Sequence, residues 1–207
     1  MSGQNVINSL VRPSMQVKQV MKNYYSSLEK NENLNKLNHM IALVIRTGLK
    51  DYNQFLSPED ETNFVKCLQQ YIKLNAYKNL TVFVTSDINE VKQNAINELL
   101  RNKREFYYDV TSLEDSEIHV MSDISIKDTN NSLLLSKVLK TFAEYFIISE
   151  CDVMFLTHGS LFGITAAERS VKAKTFFISD SKCDGKREKY SYLNCHKPKY
   201  PEFCKIN

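Results

Sequence analysis

Residues that interrupt regular secondary structure are scarce in this sequence. Its 207 residues include 5 glycines and 4 prolines, well below ordinary usage. So low a content favours long helices and strands. Because hydrophobic residues make up 43% and charged residues 25%, the composition also excludes a disordered chain, a collagen-like repeat and a small disulfide-framework protein. At roughly 100 to 200 residues per domain, the length predicts one domain, or one domain with an appendage.

A strong net charge and long apolar runs are missing as well. The net charge is +3, which is too small to predict a nucleic-acid or membrane partner. No run approaches the roughly 18 apolar residues of a membrane helix, and residues 1–14 lack the basic start and apolar stretch of a signal peptide. We therefore expect a soluble domain that neither binds nucleic acid nor inserts into a membrane.

Common cofactor and metal motifs do not occur in the sequence. There is no G-x-G-x-x-G and no G-x-x-x-x-G-K-[ST], so neither a dinucleotide dehydrogenase nor a P-loop enzyme is expected. The cysteine spacing matches no zinc signature, because no C-x-x-C occurs. The sequence therefore predicts neither a resident cofactor nor a metal ion.

The cysteines leave the cellular compartment open. They are Cys67, Cys151, Cys183, Cys195 and Cys204. A disulfide between Cys195 and Cys204 would fit an oxidising compartment, whereas free thiols would fit a cytosolic protein equally well. Two glycosylation acceptor triplets, beginning at Asn79 and Asn130, favour the secretory route.

Short apolar runs alternate with longer stretches of helical periodicity. Strands are predicted at 40–45, 81–85, 153–157 and 175–178, with a further strand at either 106–110 or 118–121. Helices are predicted at 16–36, from 57 onward, from 88 onward, at 132–149 and at 161–171. The strongest amphipathic pattern is at 132–149, where the expected inner face comprises Leu135, Val138, Leu139, Phe142, Phe146 and Ile147.

This alternation predicts a doubly wound α/β fold. Short strands separated by helices must pair in parallel, because a crossover helix returns the chain to start a parallel neighbour. The expected architecture is a Rossmann-like lobe at 39–180. It is preceded by a lead-in helical segment at 1–38 and followed by a tail rich in cysteine and lysine at 181–207.

Polar residues and glycines follow three of the predicted strands, at the edge where parallel sheets bind ligands. They are Arg46-Thr47-Gly48, then Ser86-Asp87, then Thr157-His158-Gly159-Ser160. A helix that starts at Gly159-Ser160 would present free N–H groups and a positive dipole end to an anion. Arg46 adds a planar charged fork, and Asp87 can accept hydrogen bonds from ribose or base N–H groups. The three strand ends together predict a site for a nucleotide diphosphate.

Each of these residues also has an ordinary structural interpretation. Asp87 with Glu90 is a plausible capping box for the helix predicted from 88 onward. Arg46 can be a solvated charge in a turn, Ser160 an N-cap and His158 a loop histidine. Glu168 with Arg169 is by default a surface charge pair.

Three segments resemble a known family. They are Ile41-Ala42-Leu43-Val44-Ile45-Arg46-Thr47-Gly48, Val82-Phe83-Val84-Thr85-Ser86-Asp87 and Cys151-Asp152-Val153-Met154-Phe155-Leu156-Thr157-His158-Gly159-Ser160-Leu161-Phe162-Gly163. In order and spacing they resemble the donor-binding lobe of GT-B fucosyltransferases, a group that includes the α1,2-, α1,6- and protein O-fucosyltransferases. The likeness covers about 11–180, because Arg12-Pro13-Ser14 also looks like the entry to that lobe.

The resemblance implies an inverting, metal-independent fucosyltransferase in the Golgi or secretory lumen. It would transfer fucose from GDP-fucose to a glycan or a glycoprotein hydroxyl. Arg46 matches the arginine that holds the GDP phosphates and stabilises the leaving diphosphate, and is therefore the expected catalytic residue. Asp87 matches an acidic residue that contacts guanosine. Ser160 and Phe162 match an S-x-F element whose hydroxyl and backbone amides bind the β-phosphate, so that Thr47, Gly48, His158, Gly159 and Leu161 complete the expected donor site.

The chain departs from the family pattern at two positions and in its length. Val44 stands where many members have His or Gln, and Leu161 stands where many have Ser or Thr. Members also carry an N-terminal lobe that helps to bind the acceptor, whereas the first strand predicted here begins only about 40 residues into the chain. The alternative to a transferase is therefore a noncatalytic, doubly wound module that binds a nucleotide or a partner in the same crevice.

Overall fold

The computed structural model describes residues 12–29, 39–47, 58–75, 80–103, 108–114, 131–170 and 172–178. The helices are α1 Met15–Glu29, α2 Pro58–Asn75, α3 Asn89–Arg101, α4 Asn131–Glu150 and α5 Leu161–Arg169. The strands are β1 His39–Ile45, β2 Leu80–Ser86, β3 Tyr108–Thr111, β4 Val153–Thr157 and β5 Lys174–Ile178. The predicted strands and helices are confirmed within the described residues, and the further strand lies at the first of its two candidate positions. Residues 30–36 of the lead-in helix and residue 171 at the end of the last predicted helix lie outside the described residues.

The five strands form one parallel sheet in the order β3-β2-β1-β4-β5. From β1 the chain runs outward to β2 and β3, and then crosses back to place β4 on the other side of β1. Leu43 pairs with Val84 of β2 and with Phe155 of β4. The strand order therefore reverses between β1 and β4, which is where open sheets of this class form a ligand crevice. The doubly wound fold is confirmed.

Helices cover both faces of the sheet. Alternate residues of β1 (Ile41, Leu43 and Ile45) pack in one cluster with α2 and α3. The residues between them (Met40, Ala42 and Val44) pack in a second cluster with α1, α4 and α5. Burial on both faces explains why β1 is a continuous apolar run and does not alternate with polar residues. The lead-in helix α1 is part of this second layer, since Val17, Met21, Tyr24 and Leu28 are buried in it.

The expected inner face of α4 is only half right. Phe146 and Ile147 are buried, but Leu135 is 54% exposed and Phe142 is 52% exposed. Leu135 lies in the N-terminal half of α4, which extends past the sheet because α4 has 20 residues and spans about 30 Å, whereas β4 has 5 residues and spans about 17 Å. Phe142 lies in the C-terminal half, between the buried Thr141 and Ala143, so it is exposed because its side chain points away from the sheet.

Several predictions fall on residues outside the described ranges. They concern Gly48, the cysteines at 183, 195 and 204, the glycosylation acceptors at 79 and 130, the tail at 181–207 and the outer limits of the domains. Of the cysteines within the described ranges, Cys67 is disulfide-bonded and Cys151 is free and buried. No helix among the described residues has the length and apolar character needed to cross a membrane.

Candidate nucleotide site

The three polar strand ends meet at one edge of the sheet. The last pairs of the ladders join Ile45 of β1 to Ser86 of β2 and Val44 of β1 to Leu156 of β4. The residues that follow these strands are therefore neighbours, although they are far apart along the chain. We call this place the switch-point crevice; it is formed by Arg46, Thr47, Asp87 and the segment from Gly159 to Phe162.

Arg46 lies against the start of α5. Side chains alternate along a strand, so Arg46 points to the same face as Val44, which is the face that α5 covers. Its Cζ atom lies 4.1 Å from the centroid of the Phe162 ring, and its backbone N–H donates to Oγ1 of Thr157 at 2.7 Å. The side chain is half-buried, so the interpretation of Arg46 as a solvated turn charge is wrong.

Two carboxylates affect the pKa of Arg46. Burial lowers the pKa of the Arg46 guanidinium, and the charges of Asp87 and Glu144 oppose that effect. Glu144 is 1% exposed on the inner face of α4, where Oγ1 of Thr85 donates to its Oε2 at 2.7 Å. Arginine stays protonated in proteins, so the crevice holds a permanent cation.

The turn before α5 depends on a glycine. Gly159 has a φ of 79°, in the left-handed region that side-chain-bearing residues rarely adopt. Ser160 is the N-cap, as one interpretation of the sequence proposed, and its Oγ accepts from the N–H of Gly163 at 3.3 Å. Because the hydroxyl acts as an acceptor there, its own hydrogen stays free to be donated. Within the described residues, the N–H groups of Leu161 and Phe162 have no protein acceptor.

His158 is oriented toward β5. Its backbone N–H donates to the carbonyl oxygen of Ile178 at 3.1 Å, and its ring meets that of Phe177 edge to face at 6.2 Å. Leu161 is 50% exposed at the first position of α5. A nucleotide contact by either residue stays a prediction.

Asp87 ties the ends of β1 and β2 together. Its Oδ1 accepts from the backbone N–H of Thr47 at 3.0 Å and from the Thr47 hydroxyl at 3.3 Å. The capping-box interpretation is wrong, because α3 begins at Asn89 and its N-cap residue, Ile88, makes no side-chain cap. Asp87 is 8% exposed, so its carboxylate holds the residues after β1 in place.

Two other residues differ from their ordinary interpretation or from the family pattern. The guanidinium of Arg169 lies 4.8 Å from the Phe146 ring. Arg169 therefore packs on α4, a contact that the interpretation as a surface charge pair did not include. Val44, where many fucosyltransferases have a polar residue, is 0% exposed. It presents no polar group to the crevice.

Sequence reasoning missed Glu144, Thr85 and Tyr145. Glu144 lies three residues before the buried Ile147 on α4, and a charged residue at that spacing on an apolar face is a detectable signal. The sequence pattern places Thr85 in a strand and does not mark it as a site residue, although it pairs with Val44 at the carboxyl end of the sheet. Nothing local distinguishes Tyr145 from the other aromatic residues of α4.

Comparison with solved structures supports the assignment of the fold. A mutant of Arabidopsis thaliana FUT1 in complex with GDP is 16% identical, with a TM-score of 0.55, over 81% of this chain and 34% of that one. NodZ α-1,6-fucosyltransferase co-crystallised with GDP is 11% identical, with a TM-score of 0.50, over 79% of this chain and 44% of that one. No family profile matches the sequence, and no curated protein matches it.

The chain therefore spans less than half the length of the structures that it resembles. At these identities the likeness concerns the backbone arrangement alone. Within that limit, the five-stranded parallel sheet with helices on both faces is a Rossmann-like lobe similar to one found in GT-B fucosyltransferases.

Proposed function

We propose that the chain is the donor-binding lobe of an inverting, metal-independent fucosyltransferase, and that it binds GDP-fucose in the switch-point crevice. The observation that best supports this function is the contact between Arg46 and the first turn of α5, at 4.1 Å from the Phe162 ring. It sets a permanent cation beside the free N–H groups of a helix start. Both lie at the strand reversal, where sheets of this class bind nucleotides.

The proposed chemistry uses these groups on the diphosphate. Arg46, the hydroxyl of Ser160 and the N–H groups of Leu161 and Phe162 bind its oxygens. When the bond between C1 of fucose and the β-phosphate oxygen breaks, that oxygen gains negative charge, which preorganised donors stabilise more than they stabilise the intact donor. A hydroxyl oxygen of a glycan or protein forms the new bond from the opposite face of the sugar and releases its proton to solvent.

The residues between β1 and β2 have a supporting part in this proposal. Thr47 is held by Asp87 through its N–H at 3.0 Å, which fixes the chain directly after Arg46. A carboxylate can accept several hydrogen bonds, and the family resemblance implies that Asp87 accepts from ribose hydroxyls or guanine N–H groups. We propose this contact as the source of the preference for guanosine.

Calorimetric titration of the purified chain with GDP, GDP-fucose, guanosine and UDP tests the proposal. We expect GDP and GDP-fucose to bind with similar affinity, and guanosine to bind more weakly because it lacks phosphate. Failure of all guanine nucleotides to bind would refute the donor site. Tighter binding of UDP than of GDP would instead indicate a different nucleotide-sugar transferase.

A second candidate function is binding without transfer. Val44 is a buried apolar residue where many fucosyltransferases have His or Gln, and it is 0% exposed. A site without that polar group would hold the nucleotide but contribute less to the departure of GDP. Incubation with GDP-fucose and measurement of GDP release distinguishes the two: tight binding with no release above the uncatalysed rate favours this second candidate.

The proposed compartment is the Golgi or another oxidising lumen. The disulfide at Cys67 supports this compartment, because disulfides persist in oxidising environments and are rare in the cytosol. Because Cys67 is buried, the test is alkylation in denaturant of the protein isolated from its native cell, followed by peptide mass mapping. We expect Cys67 to be protected from alkylation until a reductant is added, and a Cys67 that is alkylated without reductant would contradict luminal residence.

A further inference from the structure

The guanidinium of Arg46 is held by an aromatic ring. Its Cζ atom is 4.1 Å from the Phe162 centroid. Among the described residues the guanidinium donates no hydrogen bond and forms no direct ion pair; Asp87 and Glu144 act on it at longer range. The closest restraint on the orientation of this charge is therefore the face of Phe162.

Phe162 is itself supported from α4. Its ring meets the Tyr145 ring at 5.9 Å with an interplanar angle of 68°, an edge-to-face geometry that aromatic pairs favour. The Tyr145 hydroxyl donates to the carbonyl oxygen of Thr165 at 3.2 Å, which ties α4 to the same helix that carries Phe162. We call Tyr145 and Phe162 the aromatic support.

A stacked guanidinium differs from one in an ion pair. Attraction to the ring acts through the flat face of the group, whereas its five N–H donors point outward in its plane. A salt bridge would occupy two of those donors. The Arg46 Cζ atom lies over the Phe162 ring at 4.1 Å from its centroid, and a guanidinium held parallel to the ring at that place keeps its donors for a planar, bidentate contact with phosphate oxygens.

We propose that the aromatic support positions Arg46 so that its in-plane N–H groups face the diphosphate at the start of α5. Phe162 is thus a positioning residue through its side chain, in addition to the backbone amide that the family resemblance assigns to the β-phosphate. This inference rests on the proposed function and deepens it, because it says how one arginine of the crevice selects a diphosphate over a nucleoside.

The first experiment compares affinities for GDP and guanosine in Phe162→Leu and Phe162→Tyr. Leucine fills most of the space but has no ring, so we expect GDP affinity to fall roughly three- to tenfold, as the loss of a cation–π contact implies. Guanosine affinity should change less than twofold. Tyrosine keeps the ring and should restore GDP affinity to within about twofold of the original protein.

A matched control removes a ring elsewhere. Phe176 stacks on Phe155 at 5.0 Å and belongs to the cluster on the opposite face of the sheet. Phe176→Leu should therefore lower the free energy of unfolding without changing the ratio of GDP to guanosine affinity. If Phe162→Leu and Phe176→Leu alter that ratio equally, the effect of Phe162 is general destabilisation and the inference is overturned.

A second variant covers the case in which Phe162→Leu does not fold. Arg46→Lys keeps the charge but loses the planar group that contacts both the ring and the phosphate oxygens, and should lose at least as much GDP affinity as Phe162→Leu. If both single variants fold, the double variant should bind GDP about as weakly as Arg46→Lys alone, because the ring has no guanidinium left to position. Independent, multiplying losses would overturn the inference.

Proton NMR of the ligand-free chain separates this inference from the proposed function. The ring current of Phe162 should move the Arg46 Hε signal upfield of the Arg101 Hε signal, since Arg101 is 77% exposed. Phe162→Leu should abolish the difference. Failure of the original protein to bind GDP overturns the donor site and this inference with it, whereas GDP binding that Phe162→Leu leaves unchanged overturns this inference alone.

Discussion

Charged side chains make different contacts at the two edges of the sheet. The amino edge is where the strands begin, and the carboxyl edge is where they end. At the amino edge, Asp152 accepts from the backbone N–H of Met40 at 3.0 Å and pairs with Lys172 at 2.9 Å, and its Oδ2 lies 3.5 Å from Nδ1 of His39, whose pKa burial lowers. At the carboxyl edge, the guanidinium of Arg46 stacks on a ring, and its interactions with carboxylates act only at longer range. The charges of the amino edge hold the fold together, whereas at the carboxyl edge none of the described residues accepts a hydrogen bond from the Arg46 guanidinium.

The largest expected effect is at the carboxyl edge. Arg46→Ala should weaken GDP binding roughly ten- to a hundredfold, since a charge-assisted hydrogen bond contributes about 1.5 to 3 kcal/mol. Guanosine binding should be nearly unchanged, because it lacks the phosphates. Calorimetric titration of both ligands measures this effect.

The control for that experiment is Arg101→Ala, which removes the same residue type from an exposed position on α3. It should leave both affinities as they are. Equal weakening of GDP and guanosine by Arg46→Ala would mean that Arg46 acts in structure alone, and the contrast between the two edges would disappear.

The buried pair behind the crevice should matter next. Thr85→Val deletes the hydroxyl that donates to Glu144 at 2.7 Å, so a buried carboxylate loses one hydrogen bond. We expect the free energy of unfolding to fall by about 1 to 3 kcal/mol, as measured by denaturant titration. Thr85→Ser keeps the hydroxyl and should cost less; a serine variant as unstable as the valine variant would show that packing dominates at this position.

A substitution at the amino edge should lower the stability of the fold and leave GDP affinity unchanged, the converse of the result expected for Arg46. Asp152→Ala removes the acceptor of the Met40 N–H and the partner of Lys172. Since Asp152 is partly exposed, we expect a loss of about 1 kcal/mol in the free energy of unfolding, with GDP affinity unchanged. A change in GDP affinity would show that the amino edge also affects ligand binding, and would contradict the comparison between the two edges.

The smallest effect is a pH dependence at the amino edge. Partial burial raises the pKa of the Asp152 carboxyl, but the hydrogen bonds from Met40 and Lys172 outweigh burial and bring the pKa below its ordinary value. A carboxyl with a lowered pKa stabilises the fold above the pKa of the unfolded chain, about 3.9 for Asp. That contribution is lost as the pH falls through the lower folded value.

Denaturation of the original protein and of Asp152→Asn at pH 7 and pH 3 measures this contribution. The difference in stability between the two proteins should be present at pH 7 and should shrink at pH 3. A difference that stays constant across this range would show that the charge of Asp152 adds nothing beyond its hydrogen bonds.

The elements and the fold class could be predicted from the sequence for a physical reason. A strand buried on both faces has to be apolar throughout, and Met40 to Ile45 has no other simple interpretation. The position of β3 could not be fixed, because two short candidate runs offered similar patterns. The exposure of Phe142 was missed because helical periodicity indicates which residues share a face, but does not indicate where the border of the buried face lies between Phe142 and its buried neighbours Thr141 and Ala143.

The crevice was only partly predictable. Arg46, Asp87 and Ser160 were identified because each follows a strand, and ends of parallel strands share one edge. The sequence could not show that Asp87 holds Thr47 and makes no capping box, since both arrangements satisfy a carboxylate. It also could not show that Glu144 on α4 faces Thr85 on β2, because that contact depends on how α4 packs across the sheet.

By itself, the sequence determined the alternation of strands and helices, the parallel sheet and the residues at its carboxyl edge, because periodicity and burial act locally along the chain. The tertiary structure alone decided that β1 lies between β2 and β4 and that Arg46 stacks on Phe162 with Tyr145 behind it. These arrangements join segments that are distant in the chain, and only the packing of α4 and α5 on one face of the sheet brings them into contact.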